Sequence, residues 1–95
     1  GFAVAGFDAP PAVEDVARLQ PDLVLLDLVF GDAAEGQTWL RRVREHPATV
    51  ETTVIVCTGT RQRAADPALR AQCHGVLLKP FDVDEMKRVV AQAIE

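Results

Sequence analysis

Three aliphatic runs, Leu23-Val24-Leu25-Leu26, Val54-Ile55-Val56-Cys57 and Val76-Leu77-Leu78, limit what this chain can become. None alternates with polar residues, so each reads as a strand buried on both faces, the habit of parallel sheets. A fourth, weaker run is Phe2-Ala3-Val4-Ala5, ahead of Gly6. Helical patterns separate the runs. Pro10 and Pro11 suit a helix start, with Val13, Val16 and Ala17 on one face. Trp39, Leu40 and Val43 form a second stripe, which His46-Pro47 ends; Trp39 reads as a core residue. Asp66-Pro67 reads as an N-cap with proline in the first turn, leading to Leu69 and Cys73. Asp82, three residues before Glu85, opens a last helix with Val83, Met86, Val90 and Ala93 at helical spacing. Strands alternating with helices predict right-handed βαβ units in an α/β layered fold.

Ninety-five residues suffice for one domain with one core. A net charge of −4 argues against a nucleic-acid surface, and the Arg41-Arg42 and Arg61/Arg63 groups read as solvated faces. No apolar run approaches the roughly 20 residues of a membrane span, and no basic start with an apolar centre marks a signal peptide. Cys57 and Cys73 lack metal-ligand spacing and read as small buried hydrophobes in a reducing cytoplasm. His74, adjacent to Cys73, points away from it on any regular element, and His46 suits a helix end.

The three strong runs end on Asp27, Thr58 and Lys79. A parallel sheet places all three ends at its carboxyl edge, where α/β proteins build their sites. A carboxylate, a hydroxyl and an ammonium converging there suit a phosphoryl group: Asp27 as nucleophile, Lys79 neutralising oxygens, Thr58 donating a hydrogen bond. A structural Asp–Lys ion pair with a capping threonine fits the same spacing.

The pieces PDLVLLD, VIVCTG and LLKPF, the last followed by a capped helix, resemble the receiver domain of two-component response regulators. The resemblance covers nearly the whole chain and implies a flavodoxin-like parallel sheet with flanking helices. It implies that Asp27 is the phosphoacceptor, Lys79 the phosphate contact and Thr58 the switch hydroxyl. It further implies a magnesium ion held by Asp27 and by the backbone carbonyl of Val29, and a cis Lys79-Pro80 bond. The implied partners are a histidine kinase or phosphotransfer protein in a phosphorelay. An output domain or protein would sit on the face spanning about residues 66–95, and a dimer is compatible with the resemblance. No direct nucleic-acid or membrane contact is implied.

Aligned on Asp27, the segment Gly1 to Ala5 corresponds to the family's second strand. The first strand, its acidic magnesium pair and the first helix are absent, so residues 1–95 read as an N-terminally incomplete receiver. Asp8 falls where the next helix should begin and reads as its cap. In the family order 2-1-3-4-5 the missing strand is internal. Either the first strand moves over to pair beside Leu23–Leu26, another chain fills the slot, or the natural protein carries the missing segment. The start on Gly1 favours the last. Gly31 stands where proline is usual, the loop to Gly36 looks a residue long, the Cys73-His74-Gly75 connection looks short, and Val76 replaces the switch aromatic. These departures suit an alternative, a degenerate pseudo-receiver that binds partners without phosphorylation. A haloacid-dehalogenase-like phosphatase would need a second aspartate two residues after the nucleophile, where this chain has Val29.

Overall fold

A computed structural model describes residues 4–7, 12–28 and 33–94. The readings of Asp8 as a cap and of Val29 as a carbonyl ligand lie outside these residues.

The aliphatic runs become parallel strands. β1 (Val4–Phe7), β2 (Leu23–Leu28), β3 (Thr53–Thr58) and β4 (Gly75–Leu78) form one sheet in the order β1-β2-β3-β4. Between them lie α1 (Val13–Leu19), α2 (Ala33–Glu45), the single turn α3 (Arg61–Ala64) and α4 (Pro67–Gln72); α5 (Val83–Ala93) follows β4. The sheet has no gap. β1 pairs directly beside β2, with Val4 opposite Leu23 and Phe7 opposite Leu26. Of the three outcomes open to the sequence, the described residues take the first. Pairing β1 to β2 satisfies backbone groups that would each cost about 1–3 kcal/mol if buried without partners.

This order decides where the helices go. Right-handed crossovers between strands that always step the same way return on the same side of the sheet. α1, α2 and α4 accordingly share one face, where Val13, Val16, Trp39, Leu40, Val43 and Leu69 pack on Val24, Leu26, Val54 and Val56. Among the described residues, α5, which follows β4, is the helix that reaches the opposite face. Its Met86, Val89, Val90 and Ala93 pack on Leu23, Leu25, Ile55, Cys57 and Leu77. Alternate residues of β2 and β3 thus serve opposite cores, as strands buried on both faces must.

Several local expectations change. Val83 is 60% exposed and does not join the apolar stripe of α5. Val89 belongs to that stripe instead, and Phe81, just ahead of the cap, packs at that end. Gly36 lies inside α2 and not in a loop before it. Cys73 is only partly buried and caps α4 in an extended conformation. The caps themselves form as the sequence predicts: Asp66 accepts from the Ala68 N–H at 2.9 Å and Asp82 from the Glu85 N–H at 2.7 Å. Gly75 lets α5 approach β4, because a Cβ there would meet Val89 Cγ1 at 2.7 Å.

Candidate functional site at the carboxyl edge

β2, β3 and β4 bring the three sequence-selected residues to one edge. Asp27 stands opposite Cys57, and the next pair along is Leu28 with Thr58, itself opposite Leu78. β2 continues one residue beyond Asp27, so the carboxylate sits within the last paired turn of the strand instead of just past it. The Lys79 N–H donates to the Thr58 carbonyl at 2.8 Å, which pins the start of the β4–α5 connection to the end of β3. The Lys79-Pro80 peptide is cis.

From that position Lys79 Nζ donates to both carboxylate oxygens of Asp27, at 2.7 Å to Oδ1 and 2.5 Å to Oδ2. Their side chains are 38% and 26% exposed, so water reaches the pair from one side. Thr58 is fully buried. Its Oγ1 accepts from the Thr60 N–H at 3.3 Å and lies 3.4 Å from Thr60 Oγ1. Thr60 caps α3 by accepting from the Arg63 N–H. The hydroxyl read from the sequence is therefore held by a second threonine that sequence reasoning passed over. Cys57, across from Asp27, is inert: burial first, then the Asp27 charge, pushes its thiol up to about 11 while Lys79 pulls the other way.

A recess of about 320 Å³ opens beside the ion pair, lined by Gly59, Arg61, Leu78, Lys79, Pro80 and Glu85. At the opposite edge Arg44 acts as a staple. It donates through Nε to the Gln72 carbonyl at 3.2 Å and through Nη1 to the Thr52 carbonyl at 2.7 Å and the Val50 carbonyl at 3.2 Å. Its Nη2 lies 3.2 Å from His74 Nδ1, which also accepts from the Val54 N–H at 3.2 Å. With two donors aimed at Nδ1, the ring is neutral with its proton on Nε2. Burial, then the Arg44 charge, lowers the His74 pKa from its ordinary 6.5.

The resemblance drawn from the sequence implies a magnesium ion in an acidic pocket. Here the described residues offer one engaged carboxylate, and no group of three or more His, Cys, Asp or Glu able to hold a metal occurs among them. A divalent cation takes several oxygen ligands, and residues 8–11 and 29–32, which include Asp8, Val29 and Asp32, lie outside the described residues. No helix among the described residues is long and apolar enough to cross a membrane.

Comparison with known proteins agrees with this architecture. The chain is 32% identical over 90 residues to the DNA-binding dual master transcriptional regulator RpaA of Synechocystis, covering 87% of this chain and 37% of that protein. It is 31% identical over 101 residues to the regulatory protein AtoC of Escherichia coli, covering 99% of this chain and 21% of that one. The chain thus spans between about a fifth and two fifths of these relatives. Among solved structures, a CheY-like response regulator receiver domain from Methylobacillus flagellatus superposes with a TM-score of 0.70. At 15% identity, with both chains fully covered, that likeness concerns the fold alone. The response regulator receiver domain model matches residues 1–91, and with the parallel sheet and its Asp–Thr–Lys edge this places the chain in that family.

Proposed function

We propose that the chain is a phosphoacceptor receiver, a signalling domain in which Asp27 takes a phosphoryl group from a histidine kinase or phosphotransfer protein of the cytoplasm. Lys79 contacts the transferred oxygens and Thr58 supplies the switch hydroxyl. The observation that carries this reading is the seating of Lys79 Nζ on both oxygens of Asp27, residues 52 positions apart in sequence. An ammonium already placed on the nucleophile is placed to neutralise charge brought to that carboxylate. Thr58 would leave its contact with Thr60 for the new oxygens and bias the face of about residues 66–95, where an output domain or protein would bind. Residues 1–95 would be the receiver part of a longer regulator. A second reading, a pseudo-receiver that binds partners without phosphorylation, draws on Val76 in place of an aromatic.

Intact mass after incubation with acetyl phosphate and magnesium, beside an Asp27→Asn control, separates the two. The expected result is one phosphoryl adduct that the control lacks. An unmodified protein leaves two explanations, a truncated receiver or a pseudo-receiver: recovery of the adduct on a chain extended upstream means truncation, and continued silence means the pseudo-receiver.

A further inference from the structure

Charge is spread unevenly along this chain. Residues 33–72 hold six arginines against four acids, a net charge of +2. The remaining residues hold four cations against ten acids, a net charge of −6. Two contacts set α2 beside α4 in parallel: Gln37 Nε2 donates to Asp66 Oδ2 at 2.8 Å, and Arg44 Nε to the Gln72 carbonyl at 3.2 Å. Arg41 is one turn beyond Gln37 on α2, and Arg70 one turn beyond Asp66 on α4, so this register places them across one groove. Arg70 Nε donates to the Ala64 carbonyl at 2.5 Å, at the end of α3 beside Arg63. That contact uses one of its five donors. Arg41 and Arg70 are exposed and Arg63 is half-buried. The side chains of Arg41 and Arg63 make no ion pair or hydrogen bond with another described residue. The acid that these contacts place in the groove is Asp66, whose carboxylate already accepts from Gln37 and from the Ala68 N–H. Glu45 lines the recess toward α1, together with Arg42. Three guanidinium groups against one engaged carboxylate leave the groove positive.

We propose that the groove between α2 and α4 docks an acidic segment of a partner protein, whose carboxylates pair with Arg41, Arg63 and Arg70. A guanidinium group takes a carboxylate through two parallel N–H donors, which a lysine cannot do, and all three cations here are arginines. The size of the groove selects a short segment over a nucleic acid. From Gln37 to Arg44 the paired stretch of α2 rises about 10 Å, at roughly 1.5 Å per residue. A duplex carries one charge per about 1.7 Å and runs on past that stretch, over a chain whose other residues repel it. A few acidic residues fit inside it. The groove belongs to the layer of α1, α2 and α4, across the sheet from α5, and its charge is independent of the chemistry at Asp27.

The test is fluorescence anisotropy of a labelled, end-blocked hexaglutamate peptide titrated with the full 95-residue chain at low salt. Hexaglutamine and a single-stranded oligonucleotide of matching charge serve as comparison probes. Hexaglutamate should bind saturably and more weakly as salt rises, and hexaglutamine should not bind. Arg41→Gln should weaken hexaglutamate about three- to fivefold, the upper range for an exposed charge pair, and Arg41→Lys should recover part of that. Arg42→Gln removes the same charge from the α1 side of the same helix and should change the affinity by less than about 1.5-fold. Because Arg41 holds no other described side chain, its replacement leaves the fold intact, which circular dichroism checks. Equal effects of Arg41→Gln and Arg42→Gln would mean attraction to net charge alone and overturn the groove. Failure of hexaglutamate to bind, or tighter binding of the oligonucleotide, overturns the acidic protein segment. Sedimentation of the chain alone should show a monomer at the same salt; a dimer that Arg41→Gln dissolves would seat a second copy there and overturn an outside partner.

Discussion

Replacing Asp27 and Lys79 by alanine, singly and together, measures how strongly the two are coupled in the folded protein. At a separation of about 2.6 Å, unit charges attract by about 1.6 kcal/mol at the dielectric of water and about 6 kcal/mol at an effective dielectric of 20. Exposures of 38% and 26% place the pair toward the watery limit, and partial desolvation of both groups opposes the attraction. The expected coupling is therefore about 1–2 kcal/mol, above the usual surface pair because one ammonium bridges two oxygens. Urea unfolding of the wild type, both single variants and the double variant gives this quantity as a cycle. Repeating it at high salt should reduce the coupling without abolishing it, since the contact is shorter than a Debye length of about 3 Å at 1 M. A coupling below about 0.3 kcal/mol at low salt would mean that the contact does not order the site, and the reasoning would be refuted. On the proposed chemistry the same energy is what must be given up when an Asp27 oxygen turns toward phosphorus.

The edge opposite the site gives two further expectations. Because the folded state lowers the His74 pKa, the unfolded chain binds the proton more readily. This contribution to stability is complete above about pH 6.5 and is lost as pH falls through the lower folded value. Thermal melts should show the loss in the wild type and less of it in His74→Asn, whose side-chain oxygen can accept from Val54 and Arg44 without titrating. An identical pH slope in both proteins would refute the assignment. Gly75→Ala places a Cβ 2.7 Å from Val89 Cγ1 and should destabilise by about 1–3 kcal/mol in urea melts, most of it recovered by adding Val89→Ala. A neutral Gly75→Ala would mean that α5 does not approach β4 so closely.

What the sequence revealed follows from what hydrophobic pattern can encode. Unalternating runs announced strands buried on both faces, and β2, β3 and β4 lie where the runs do. Asp66 and Asp82 were legible as caps because a short acceptor before a helical pattern has few other uses. The neighbours of a strand were not legible: an aliphatic run is equally satisfied beside any other parallel strand, so the pattern of β1 could not say that it pairs with β2. Arg44 was missed because an arginine in the last turn of a helix looks like a solvated charge, and only the fold brings the Gln72 and Thr52 carbonyls and the His74 ring to it. At the site, the strand-end residues were readable, whereas Thr60 caps a one-turn helix too short to leave a periodic trace. Val83 fits the spacing of α5 but not its contact line, which passes through Val89.

A sheet whose spatial order equals its order along the chain has a direction of assembly. Each strand, as it leaves the ribosome, finds its partner already waiting: β2 docks on β1, β3 on β2 and β4 on β3. Asp27 arrives with β2, but Lys79 arrives only after β4, 52 residues later. Nascent chains released before β4 would expose Asp27 without its counter-ion. Completion of the Asp27–Lys79 pair therefore reports that synthesis has passed β4.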